Sequence, residues 1–164
     1  MSVREDRNVS WLRCVGDTSR HWGRYGAAGL LLVAHDNAVP HVLLDRRAHW
    51  VHQGGTIGVP GGAIHEGETV LDAALREATE ETSGLDDLQM DIVGSHTQQC
   101  TVCTRWTYTT VVASVPTLLQ VQPRSFESAG LDWVDVARVE TLPLHPGLRR
   151  AWPSLRQLIP AAAG

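Results

Sequence analysis

No segment of this sequence is apolar for the roughly 18–20 residues that a membrane-spanning helix needs. The longest apolar stretch, Gly26 to Ala34, is the size of a strand. Met1 to Asn8 mixes charges around no hydrophobic centre, so no secretory leader is expected and a cytoplasmic location is the default. Cysteine is scarce: the three are Cys14, Cys100 and Cys103. An odd count without a secretion signal argues against a disulfide framework. Cys100 and Cys103 form C-x-x-C, and with Cys14 and His21 as distant partners they would complete a Cys3His zinc set. There is no second C-x-x-C, however, and the pair does not open a helix as a redox motif would, so three ordinary reduced thiols are expected. Positive charge is not in excess either. The formal net charge is -4, which excludes a duplex nucleic-acid face built on clustered cations. A small anionic ligand is still compatible, provided a few arginines and metal ions converge locally.

What is present is an ordinary globular balance, 43% hydrophobic and 20% charged. A length of 164 residues suits one domain, 1–164, with one sizeable core. Residues 1–25 read as an irregular lead-in, with Trp11, Trp22 and Tyr25 as candidate anchors. Ala27–Ala34 is a strand buried on both faces. His41–Asp45 follows as a strand, then a loop through Arg47 and His52, then a short strand at Thr56–Val59. Thr69 caps a helix over Val70–Thr82, with Leu71, Ala74, Leu75 and Ala78 as its buried stripe. Asp91–Ser95, Trp106–Val115 and Leu131–Val134 read as strands. Residues 147–159 read as a C-terminal helix that Pro153 should kink or divide. The tail 160–164 is expected to fray. This order of elements is an α+β, mixed-sheet arrangement.

One segment carries most of the chemistry, from Gly61 to Leu85. At about 100° per residue, Glu77, Glu80 and Glu81 share an arc of roughly 100° on the helix. Like charges at that spacing repel by a few tenths of a kcal/mol, on the order of 0.2–0.5 per exposed pair. The run is therefore either a solvated acidic face or a site for a hard divalent cation such as magnesium or manganese. Its surroundings favour the cation. Pro60-Gly61-Gly62 permits a tight turn that brings backbone oxygen close, and Arg76 can pair with Glu68 in bidentate fashion, locking loop to helix.

The same residues resemble the Nudix box, G-x5-E-x7-R-E-U-x-E-E-x-G-U with U a bulky aliphatic. Gly62, Glu68, Arg76, Glu77, Glu80 and Glu81 all fall in place. Two departures are visible: Ala78 replaces a larger aliphatic, and one extra residue lies between Glu81 and the terminal glycine, Gly84, lengthening the helix exit. The resemblance implies a Nudix-type α/β/α sandwich around a mixed sheet. It also implies hydrolysis of a diphosphate linkage in a nucleoside diphosphate derivative, by water attack on phosphorus. The carbonyl of Gly61 with Glu77, Glu80 and Glu81 would ligate Mg2+ or Mn2+, and Arg76 and Glu68 would support them.

Further candidates lie outside the box. Glu127 stands six residues before Trp133 and is a candidate ligand or base; Asp132 and Asp135 are weaker candidates. Arg47 and His52 sit where the family's nucleoside triphosphate pyrophosphohydrolases contact substrate. Arg105 and Trp106 are candidates for a phosphate contact and a base-stacking ring. The segment Leu142–Gly147 would line the pocket, contact a second copy in a homodimer, or only lead into the last helix. Two other classes of function are compatible with the fold: a nucleotide-binding module that does not hydrolyse, and an isopentenyl diphosphate isomerase-like enzyme, which needs a cysteine poised against a carboxylate.

Overall fold

The computed structural model describes residues 11–14 and 20–162. Its first elements correct the expected lead-in. β1 (Trp11–Arg13) pairs antiparallel with β2 (Arg20–Trp22), opposing Leu12 to His21. The predicted anchors do not reach the core: Trp11, Trp22 and Tyr25 are all exposed, and the two tryptophans meet edge to face at 5.2 Å.

β3 (Ala27–Asp36) is the strand around which everything else is arranged. Ala27 through Ala34 are all buried, and successive side chains enter opposite layers. Leu30 and Leu32 pack into one layer, Leu31 and Val33 into the other. Each fully buried leucine contributes about 2 kcal/mol of transfer free energy. β3 lies between β4 (Val39–Arg47), antiparallel to it, and β9 (Thr107–Ser114), parallel to it. The main sheet is therefore mixed, as predicted. β11 (Ser128–Asp135) flanks β4 and β8 (Asp91–Gln99) flanks β9. Two short strands, β5 (Ile57–Gly58) and β6 (Gly61–Ala63), attach to β4 and β3 in place of the expected strand at 56–59.

α1 (Val70–Glu81) covers one face of the sheet. Thr69 caps it as expected: its hydroxyl oxygen accepts the Asp72 N–H at 3.1 Å and its hydroxyl donates to the Asp72 carboxylate at 2.6 Å. The buried stripe differs from the expected one. Ala73, Ala74 and Ala78 face the core, while Leu71 is exposed. Small side chains let the helix lie close to the sheet, and the turn this imposes carries Glu77 and Glu81 inward. The helix also ends at Glu81, one residue early. Thr82–Ser83 instead forms β7, paired with β10 (Gln122–Pro123), and Gly84 makes the exit at φ +85°. A Cβ at Gly84 would lie 2.6 Å from the Gln120 carbonyl, so the extra residue in the box feeds a strand bridge rather than a longer helix.

α2 (Pro146–Leu158) covers the other face through Leu148, Trp152 and Leu155, completing an α/β/α sandwich. Pro153 does not divide it: the helix runs unbroken through that position. Pro153 and Arg149 both face solvent, so water can satisfy the Arg149 carbonyl that the proline leaves without an N–H. Residues 163 and 164 of the tail lie outside the described region. No helix among the described residues is long and apolar enough to cross a membrane.

Candidate active site

β6 and α1 are joined through Arg76. Its Nε and Nη2 donate to the two oxygens of Glu68 at 2.7 and 2.9 Å, the bidentate pair expected from the sequence. Nη2 also donates to the Ala63 carbonyl at 2.9 Å, and Nη1 to Glu77 at 2.8 Å. One guanidinium thus ties the loop, the strand and the helix together. Its hydrogen bonds hold the Glu68 carboxyl down at about 2. The glycine before them is needed for space: a Cβ at Gly62 would lie 2.5 Å from the Glu77 carboxylate carbon. We therefore expect Gly62→Ala to fold, lose about 1–3 kcal/mol through overpacking, and fail in any reaction that uses Glu77. Chemical denaturation and a turnover assay on one preparation check both halves.

The three helix carboxylates are not equivalent. The Glu80 side chain is 60% exposed and that of Glu77 only 15%. Glu81 accepts the Gly61 N–H at 3.0 Å. Burial pushes Glu81 up to about 7; the charges of Glu77, Asp45 and Glu127 add to this, and the Gly61 N–H opposes it. Burial also raises Glu77, against the pull of Arg76. The carboxylates do not already converge on a point. Among the described residues, the one His, Cys, Asp and Glu group gathered tightly enough to hold an ion is Cys14, His21, Cys100 and Cys103. The acidic site still fits a divalent cation by its donor set. Glu81, Asp45 and Glu127 line a cavity of about 50 Å³ beside Gly61, and the buried Thr82 hydroxyl on its wall has no hydrogen-bond partner. Anionic oxygens facing a small polar void suit a hard ion.

The direction of the Glu81 shift sets a pH dependence. Its folded value, about 7, lies above the ordinary 4.5, so between those values the folded chain binds more protons than the unfolded one. The stability this carboxyl contributes is complete below 4.5 and is lost as pH rises through 7. Glu68 acts oppositely: its contribution is complete above 4.5 and is lost as pH falls toward 2. Without added divalent cation, the stability of the wild type should decline from pH 5 to 8 more steeply than that of Glu81→Gln, measured by urea denaturation at a series of pH values.

Asp45 was not singled out from the sequence. It lies near the end of β4, accepts a hydrogen bond from the Ser128 hydroxyl, and has its pKa raised by burial. Its only sequence signal was its place at a strand end before Arg46-Arg47. Glu127, which spacing did nominate, is brought to the same small cavity. Asp132 and Asp135 have other partners: Asp132 accepts from Arg46 at 2.6 Å, and Asp135 accepts the Ala137 N–H at 2.8 Å, capping a 3-10 turn over Val136–Thr141.

A larger cavity of about 470 Å³ adjoins the small one, and both are lined by Arg47, Val59 and Gly61. Arg47 donates to the His52 carbonyl through Nε and Nη2, at 3.2 and 2.9 Å. His52 thus orients Arg47 through its backbone, and its ring does not line the cavity. Trp106 forms part of the far wall, but Arg105 is exposed and does not. Gln98, Tyr108, His145 and Arg150 also line it. His145 falls in the segment Leu142–Gly147, and it both lines this cavity and caps α2, its ring nitrogen accepting the Gly147 N–H at 3.0 Å. Burial, reinforced by Arg47, lowers its pKa. Among the described residues no cysteine is hydrogen-bonded to a carboxylate, as an isomerase would need: Cys100 lies on the cavity wall with Trp106, its sulfur 3.2 Å from His21 Nε2.

Comparison with known proteins agrees with this geometry. The family model described as NUDIX domain matches residues 23–158. A candidate 8-oxo-dGTP diphosphatase 3 of Mycobacterium tuberculosis is 48% identical over 141 residues, covering 83% of this chain and 64% of that protein. The chain thus spans less than two thirds of that relative's length. A nucleoside triphosphate pyrophosphatase/Nudix hydrolase fusion protein of Bifidobacterium longum is 34% identical over 148 residues, covering 87% of this chain and 30% of the fusion. Among solved structures, the Nudix hydrolase RenU of M. smegmatis superposes with a TM-score of 0.83 at 40% identity, over 94% of this chain and 99% of that one. With the match running from the end of β2 through α2, the chain belongs to the NUDIX family.

Proposed function

We propose that this chain is a pyrophosphohydrolase that cleaves a phosphoric anhydride in a nucleotide derivative, with a nucleoside triphosphate as the first candidate. The observation that carries the reading is the half-buried pair Glu77 and Glu81 set beside Gly62 and Gly61, with Glu81 on a small cavity that shares Arg47 and Gly61 with one large enough for a nucleoside. The name borne by the Mycobacterium tuberculosis relative favours an oxidised purine nucleoside triphosphate within that class.

In this reading Glu77, Glu80, Glu81 and the Gly61 carbonyl hold magnesium or manganese, with Glu127 and Asp45 as further oxygen donors. The cation would supply the positive charge that lets an anionic diphosphate accept a nucleophile. Arg47 binds phosphate from the cavity side, pre-oriented by its two bonds to the His52 carbonyl. Glu81, beside Gly61 on the small cavity, accepts the proton of the attacking water. Arg76 takes no part in bond making; it fixes Glu77 and closes the loop. Trp106 offers a ring face to the base, while Gln98 and His145 offer polar groups along the wall.

An assay for released pyrophosphate and nucleoside monophosphate tests the proposal, run with and without magnesium or manganese over nucleoside triphosphates, their oxidised-purine forms, dinucleotides and nucleotide sugars. Cation-dependent pyrophosphate release from a triphosphate is expected. No release from any of the panel would overturn the reading.

A further inference from the structure

The sequence suggests three unconnected thiols, but the structure gathers all three around one imidazole. Cys14 and His21 come from the β1–β2 hairpin, and Cys100 and Cys103 from the turn between β8 and β9. The Cys14 and Cys100 sulfurs are 3.6 Å apart, and each is 3.2 Å from His21 Nε2. All four ligand atoms lie within 4.8 Å of one another. A disulfide would require about 2.05 Å between sulfurs, and the three cysteines are free. A tetrahedral zinc with Zn–S near 2.3 Å and Zn–N near 2.0–2.1 Å has S···S edges of about 3.8 Å and S···N edges of about 3.5 Å. The Cys14–Cys100 separation and the two sulfur–imidazole separations lie within a few tenths of an ångström of those edges.

The turn that carries the pair is tied by its own backbone: the Cys100 N–H donates to the Trp106 carbonyl at 2.8 Å and the Thr104 N–H to the Cys100 carbonyl at 3.0 Å, with Thr104 at φ +52°. The imidazole is held from outside: its ring stacks on Trp106 with centroids 4.4 Å apart and planes 10° from parallel. Three thiol sulfurs and one imidazole nitrogen within 4.8 Å of one another select zinc over the oxygen-seeking cations of the carboxylate site.

We propose that Cys14, His21, Cys100 and Cys103 bind a structural zinc ion that clasps the β1–β2 hairpin to the wall of the large cavity. A hairpin with three-residue strands has too little buried surface to hold its place unaided. The clasp supplies a cross-link between segments 86 residues apart in sequence. It also has a consequence for the cleft. His21, Cys100 and Trp106 all line the cavity, and the Trp106 indole N–H donates to the Trp22 carbonyl at 3.3 Å. The filled site would therefore fix the ring that faces the ligand's base.

The full chain, expressed in zinc-supplemented medium and purified with reductant and without chelator, should carry about one zinc per chain by elemental mass spectrometry. Reconstitution with cobalt(II) under reducing conditions should give thiolate charge-transfer and tetrahedral visible bands, a readout that needs no variant. Glu81→Gln should keep the zinc, which separates this site from the carboxylate one whether or not the hydrolase reading holds. Cys14→Ser and the double variant Cys100→Ser/Cys103→Ser should lose it and melt at lower temperature. A wild-type chain with under about a tenth of an equivalent of zinc and no tetrahedral cobalt spectrum would overturn the proposal. So would folded protein whose reduced-thiol count shows two of these cysteines oxidised to each other.

Discussion

Glu81→Gln is expected to lower kcat by ~10²–10⁴-fold, the usual contribution of a positioned acid or base, while the fold survives. The amide is nearly isosteric with the carboxylate and keeps an oxygen to accept the Gly61 N–H. What it removes is a charge that burial already disfavours, so the variant should be at least as stable as the wild type above pH 7. Two measurements on one sample decide the matter: steady-state turnover with saturating magnesium, and urea denaturation without it. Glu80→Gln makes a useful partner. Its side chain is largely exposed, so its loss should reduce turnover through weaker cation binding and leave stability unchanged. Wild-type turnover in both variants would remove the carboxylates from the chemistry.

Arg76→Ala should destabilise the protein by about 3 kcal/mol, the low end of the range for breaking a buried ion pair, because the side chains of Arg76 and Glu68 are only 22% and 15% exposed. The cost arises less from the lost attraction than from what remains. Glu68 and Glu77 would lose their countercharge, and the Ala63 carbonyl a donor. Arg76→Lys should recover only part of this, since an ammonium cannot serve the two Glu68 oxygens, Glu77 and Ala63 in one plane. Thermal melting of the three proteins measures the order. If Arg76→Ala melts with the wild type, the guanidinium does not join loop, strand and helix as described.

The parts of this molecule that could be read from sequence are those fixed by short-range rules. Thr69 as a cap, the doubly buried run of β3 and the Arg76–Glu68 pair each depend on residues close in the chain or on a motif of fixed spacing. The departures arose where distant segments decide. Leu71 fits a helical stripe as well as Ala73 does, and only the close approach of α1 to β3 makes alanine the buried choice. Pro153 should break a helix, unless the carbonyl it orphans faces water, as it does here. Asp45 and His145 carry no local mark of function, because their cavities are assembled from β4, β5, β11 and the start of α2. The cysteines are the clearest case. C-x-x-C alone was a weak signal, and its partners lay about eighty residues earlier on a hairpin that composition gave no reason to expect.

The two cavities meet at Arg47, Val59 and Gly61, and one is roughly a ninth the volume of the other. That difference in size would act as a ruler. A ligand reaching across both could bring a broad, flat end group to the roomy side and only small units to the other. Selectivity would then be divided along the length of the guest, lenient about what is carried at the wide end and strict about girth at the narrow one. Such an arrangement would turn away compounds bulky at both ends without a single contact to their distinguishing atoms.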